Sequence, residues 1–166
     1  MLKTTICYIE KDNKYLMLHR TKKKNDMSHD LYLGIGGKFE PGESADECNA
    51  REVLEETGLI LRDAKLRGLM YFVSDKYDNE AMYIYTASDY YGQIDMDCDE
   101  GDLVWIDRTR VFSLPIWEGD KIFFKLLEED APFFYIMAHY DADNRLIDHK
   151  VDTGLTLKEA EAECGC

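Results

Sequence analysis

Two early stretches, residues 3–10 and 15–20, carry short continuous apolar runs, Ile6–Ile9 and Tyr15–Leu18, and flank the polar pair Asp12-Asn13. That pattern predicts two strands joined by a tight turn. The segment TKKKNDMSHD that follows has no apolar period and reads as a polar loop. Residues 44–57 change to a helical period. Ser44 stands at the N-cap position with Glu47 three residues on, the spacing of a capping box, and Gly58 follows as the terminating residue. Residues 66–74 and 81–87, rich in Tyr, Met, Val and Ile, predict a second strand pair, and DLVWID a short strand. Residues 118–129 again have helical spacing, with Ile122, Leu126 and Glu129 on one side and Phe123, Phe124 and Leu127 close by. PFFYIMAHY and RLIDHKV predict a last strand pair joined at residues 141–144. Strands before and after two helices point to an α/β or α+β sheet with helices packed on it.

At 100° per residue the central helix places Ala50, Val53, Leu54 and Thr57 on one apolar face. Glu52, Glu55 and Glu56 fall on the opposite side, three and four residues apart and therefore neighbours. Such like charges cost a helix about 0.2–0.5 kcal/mol per pair, and the cost reverses if a hard cation such as Mg²⁺ or Mn²⁺ sits among them. A solvated acidic face is the other reading, because the chain carries 34 acidic residues and a net charge of −14. That charge argues against a nucleic-acid polymer or an anionic membrane as partner. A small phosphorylated ligand remains open if a metal ion screens the repulsion.

The N-terminal stretch lacks the apolar core and cleavage site of a signal peptide, and no run reaches the roughly 18 apolar residues of a membrane span. The scattered cysteines, Cys7, Cys48, Cys98, Cys164 and Cys166, fit free thiols in a reducing, cytoplasmic compartment. At 166 residues one domain is the default. Residues 1–155 are expected to form it, leaving residues 156–166 as a tail that is either a short helix or disordered.

Just before the glutamates, GIGGKFEPGE places glycines at positions 34, 36, 37 and 42, a loop that lets backbone groups approach a ligand closely. Together, loop and helix carry Gly37, Glu43, Arg51, Glu52, Val53, Glu55, Glu56, Gly58 and Leu59 at the spacing G-x5-E-x7-R-E-U-x-E-E-x-G-U, where U is a bulky aliphatic residue. This resembles the signature of the Nudix hydrolases without a departure. The resemblance implies an α/β/α sandwich with a mixed central sheet. It also implies Mg²⁺-dependent hydrolysis, with Mn²⁺ as a possible substitute, of a nucleoside diphosphate linked to another group. Carried over, Glu52, Glu55, Glu56 and the Gly36 carbonyl would be metal ligands, and Glu43 with Arg51 a supporting salt bridge. Glu100, in the acidic loop five residues before Trp105, is a further ligand or base by the same resemblance. Glu52, Glu56 and Glu100 are the candidates for taking the proton of the attacking water.

Beyond that signature, residues 3–151 are similar to the MutT-like branch that includes 8-oxo-dGTP diphosphatases. The similarity implies hydrolysis of an oxidised purine nucleoside triphosphate to the monophosphate and pyrophosphate. It places Trp117 and Asp120 at the base, and Gly37, Lys38 and Arg20 with the phosphates. The Lys22–Lys24 run reads as a solubilising loop that could also meet phosphates. Gly119 and Leu33 stand where that branch has a second acid and an asparagine for reading the base, so hydrogen-bonding groups are missing from the expected base pocket. The alternatives are a nucleotide sugar or dinucleoside polyphosphate as substrate, or a module that binds a nucleotide without cleaving it.

Overall fold

The computed structural model describes residues 1–22 and 24–166. In chain order, β1 (Leu2–Lys11), β2 (Lys14–His19), β3 (Tyr32–Leu33) and β4 (Ile35–Lys38) lead into α1 (Ala45–Thr57). Then come β5 (Ile60–Leu61), β6 (Lys65–Ser74), β7 (Glu80–Ala87), β8 (Tyr90–Tyr91), β9 (Asp97–Cys98) and β10 (Gly101–Asp107). The chain ends with α2 (Asp120–Glu128), β11 (Phe134–Tyr140), β12 (Leu146–Thr153) and α3 (Leu157–Cys164). The main sheet runs β12-β11-β6-β7-β1-β2-β10-β9, with β3 on β2 and β4 on β1, while β5 and β8 form a separate small pair. It is mixed, because β1 runs parallel to β7 and β6 parallel to β11.

Alternation along each strand builds two cores, one on each face of the sheet. Ile6 and Tyr8 of β1, Met17 of β2, Ile84 of β7 and Ile136 of β11 pack with Phe123, Phe124 and Leu127 of α2. Their in-between neighbours Cys7, Ile9, Leu16, Tyr83 and Tyr135 pack on the other face with Val53 of α1 and Ala160 of α3. Burying each large side chain contributes about 1.5–3 kcal/mol, so the period-two pattern is enforced by both layers of helices. The result is a mixed α/β sandwich with helices on both faces of one sheet.

The local signals act as their chemistry dictates. Asp12 and Asn13 both take positive φ, 50° and 60°, as a two-residue hairpin turn requires. Ser44 and Glu47 form the reciprocal capping box, and Gly58 ends α1 in the left-handed conformation at φ 77°. Three expectations are corrected. The buried stripe of α1 is Cys48, Asn49, Val53 and Thr57, while Ala50 is exposed and Leu54 is 48% exposed. The helix is rolled so that the flank carrying Glu52 and Glu56 meets the glycine segment. Part of that segment is not loop, because Ile35–Lys38 is a strand paired with β1, Ile6 opposite Gly36. Cys164 and Cys166 are joined in a disulfide rather than free, with Cα atoms 5.5 Å apart, whereas Cys7, Cys48 and Cys98 are buried thiols. Residues 157–164 are helical, with Ala160 and Cys164 buried. No helix among the described residues is long and apolar enough to cross a membrane.

Candidate functional site

The site starts from one arginine. Arg51, on α1, reaches back to the loop and grips Glu43 with both arms of its guanidinium: Nε to Oε1 at 2.7 Å and Nη2 to Oε2 at 2.9 Å. Nη2 also donates to the Lys38 carbonyl at 3.0 Å, closing the loop onto the helix. These bonds hold the Glu43 carboxyl down at about 2. The remaining nitrogen, Nη1, donates to Glu52 Oε1 at 2.7 Å and to Glu55 Oε2 at 3.3 Å. A bidentate arginine–carboxylate pair sets geometry as well as energy, so the loop, Glu43 and Glu52 are positioned as one unit. A Cβ on Gly37 would lie 2.4 Å from the Glu52 carboxyl carbon, so a side chain there would displace Glu52 from its place against the loop.

Behind this unit lies a cavity of about 880 Å³. At one end its wall carries Gly36, Gly37, Lys38, Glu52, Glu56, Glu100 and Arg20. Burial, and then the charges of Glu100 and Glu52, push the Glu56 carboxyl up to about 8, against a hydrogen bond from the Gly36 backbone and the charge of Arg20. Among the described residues Glu56 Oε2 is buried without a hydrogen-bond partner. Arg20 is bound to Asp26 at 2.5 Å and to Glu100 at 3.3 Å, which fixes the acidic loop against β2. Lys22 donates to the Cys98 carbonyl in the same loop, and Lys23 lies outside the described residues.

Of the expected metal ligands, Glu52, Glu56, Glu100 and Gly36 share this wall. Glu55 does not line the cavity; its side chain is 57% exposed and turned to Arg51. Among the described residues no three acidic, histidine or cysteine side chains stand together as a complete ligand set. The donor chemistry nevertheless fits a hard divalent cation. Three carboxyl groups and the Gly36 backbone line one space, and Glu56 has an orphaned oxygen whose desolvated charge an ion would neutralise.

The other end of the cavity is apolar with a few polar groups. The Trp117 indole stands edge-on to Phe72 and Tyr140, with centroids at 5.5 and 5.0 Å, and its Nε1 donates to Ser28 Oγ at 3.0 Å. Asp120, in the first turn of α2, is 4% exposed and lines the cavity. Burial, and then the charge of Glu80, raise its carboxyl to about 8. Gly119, where an acid was expected from the resemblance, donates its N–H to Tyr140 Oη at 2.6 Å. A Cβ there would meet that oxygen at 2.6 Å, so Tyr140 occupies the space a side chain would need. Leu33 also lines the cavity and adds no hydrogen-bonding group.

Glu80, Thr4, Ser28 and Tyr140 were not singled out from sequence. Glu80 had a usable signal: it is in phase with Met82 and Ile84, so an acid sits on the inward face of an apolar strand. Thr4, Ser28 and Tyr140 had none, because each is an ordinary residue brought to the cavity by sheet order.

Comparison with known proteins agrees with this geometry. The NUDIX domain family profile matches residues 2–127. The uncharacterized Nudix hydrolase YvcI of Bacillus subtilis is 26% identical over 154 residues, covering 90% of this chain and 94% of its own. The oxidized purine nucleoside triphosphate hydrolase of Danio rerio is 24% identical over 131 residues, 78% of this chain and 83% of its own. Among solved structures, the MutT protein of Bacillus halodurans superposes with a TM-score of 0.81 at 27% identity, covering 92% of this chain and 98% of that one.

Proposed function

Because the chain belongs to the Nudix family, we propose that it is a Mg²⁺-dependent hydrolase of a purine nucleoside triphosphate, releasing the monophosphate and pyrophosphate, with oxidised purines such as 8-oxo-dGTP as substrate. The observation that carries the reading is that a single cavity has carboxylates and backbone groups suited to metal-bound phosphates at one end. At its other end it has Trp117 and Asp120, suited to a base. The relative from Danio rerio bears a name consistent with that substrate.

Glu52, Glu56, Glu100 and the Gly36 carbonyl would hold the ion, with Glu55 joining them only by leaving Arg51. When bound, Mg²⁺ neutralises phosphate charge and lowers the pKa of a coordinated water. Arg51 and Glu43 position the loop that presents Gly36 and Gly37. Lys38 and Arg20 reach the polyphosphate, Lys38 as a point charge and Arg20 while bracing Glu100. One of Glu52, Glu56 and Glu100 takes the proton of the attacking water. Trp117 packs its ring against the base, and Asp120 meets the base edge. Residues 1–155 are the catalytic unit in this reading, with residues 156–166 as an appended helix.

The test is a turnover panel of oxidised and ordinary nucleoside triphosphates, nucleotide sugars and dinucleoside polyphosphates with Mg²⁺, detecting pyrophosphate and phosphate separately. Pyrophosphate release fastest from an oxidised purine triphosphate is the expected result. Preferential cleavage of a nucleotide sugar, or affinity without turnover of any compound, would overturn it.

A further inference from the structure

Glu80 is unexplained by the phosphate chemistry. It opens β7 in the same phase as Met82 and Ile84, so it points to the face of the sheet that holds Phe72, Trp117 and Asp120. Its Oε1 accepts a hydrogen bond from the buried Thr4 hydroxyl at 2.5 Å, across the β1–β7 pairing. Both Glu80 and Asp120 line the cavity. Among the described residues the Asp120 carboxyl has no hydrogen-bond partner although it is 4% exposed, and its backbone N–H donates to the Trp117 carbonyl. Among the described residues neither carboxyl has a cation at ion-pair distance, and Lys38 draws on Glu80 only through its field. Two desolvated carboxyls without a cation are costly.

We propose that Glu80 is a second base-reading residue, acting with Asp120 to accept the N–H groups of a 2-aminopurine edge, so that guanine-type bases are the preferred class. The inference rests on the nucleotide reading above and narrows it.

Glu80 and the carbonyl oxygen of Asp120, whose carboxyl holds its proton at neutral pH, bring acceptors, so the matching ligand edge must bring donors. A guanine-type base, oxidised at C8 or not, offers N1–H and a 2-amino group side by side. Hypoxanthine and adenine both lack the 2-amino group. The flat apolar walls formed by Phe72, Met70, Met82 and Trp117 suit a neutral ring, not a free ammonium ion. The arrangement also accounts for Gly119. Tyr140 crowds a side chain at that position, and Glu80 supplies the second carboxyl from the sheet.

The test measures binding of guanosine and inosine 5′-monophosphates, and of their 8-oxo forms, by calorimetry with Mg²⁺ present, for wild type, Glu80→Gln and Thr4→Val. One charge-assisted hydrogen bond predicts that wild type prefers the 2-amino base by about 10- to 100-fold. Glu80→Gln should bring that ratio to within about twofold of unity, and Thr4→Val, which leaves the carboxylate in place but unanchored, should give an intermediate value. Thermal unfolding of each variant separates misfolding from lost recognition. The proposal is overturned if wild type shows no preference or binds none of the four. It is also overturned if folded Glu80→Gln keeps the full ratio. A preference in binding with no pyrophosphate released from the matching triphosphates would leave the base-reading pair standing and overturn the reaction alone.

Discussion

Replacing Asp120 with asparagine should stabilise the protein at neutral pH, and the gain should grow with pH. The carboxyl is raised from 3.8 to about 8, first by burial and then by the charge of Glu80. A raised acid works against the folded state wherever the unfolded chain would ionise. Below about pH 4 both states are protonated and nothing is lost. Between about pH 4 and 8 the native state holds a proton that the unfolded state releases, so unfolding free energy falls by about 1.4 kcal/mol per pH unit. At pH 7 the deficit is about 3 units times 1.4, or about 4 kcal/mol, and above pH 8 it levels off. Asparagine keeps the shape but never ionises. Its unpartnered amide carries a penalty of about 1–3 kcal/mol, which does not vary with pH and so drops out of the slope. The assay is urea unfolding followed by far-ultraviolet circular dichroism at pH 5, 6, 7 and 8. The stability difference, variant minus wild type, should rise by about 4 kcal/mol from pH 5 to 8. A difference that stays constant within about 1 kcal/mol over that range would refute the claim that this carboxyl is desolvated in the native state.

Glu56→Gln should lower kcat by about 10²- to 10⁴-fold with an unchanged circular dichroism spectrum; wild-type turnover would remove Glu56 from the catalytic set. Arg51→Lys cannot reproduce the two-armed grip on Glu43, so Mn²⁺ affinity, read by calorimetry, should weaken about 10- to 100-fold. Unchanged affinity would mean that the loop needs no arginine brace. Gly119→Asp should destabilise the fold by about 1–3 kcal/mol in urea through its collision with Tyr140, and adding Tyr140→Phe should recover part of that loss. Equal stability of Gly119→Asp and wild type would show that Tyr140 yields easily.

The elements that survive translation from sequence to structure are those whose causes lie a few residues apart. The Asp12-Asn13 hairpin, the Ser44–Glu47 capping box, the Gly58 stop and the apolar strand runs are local, and each appears where its residues stand. The carboxylate end of the cavity shares this locality, because Gly36, Gly37, Glu52 and Glu56 lie on one strand–loop–helix unit. What local periodicity could not settle was the roll of α1. The buried side of the helix depends on which flank the sheet and the glycine strand take, and they took Cys48, Asn49 and Val53 while leaving Leu54 in solvent.

Chain chemistry alone therefore determined that strands, capped helices and a carboxylate-bearing loop–helix unit exist, since hydrogen bonding and side-chain period act over three or four residues. Only the tertiary structure decided what the apolar end of the cavity is made of. Thr4 meets Glu80 across 76 positions, Trp117 meets Ser28 across 89, and Tyr140 fills the space beside Gly119 across 21. Sheet order sets those meetings, and the cavity's desolvation, which raises Asp120, arises only once two faces of the sheet have been covered.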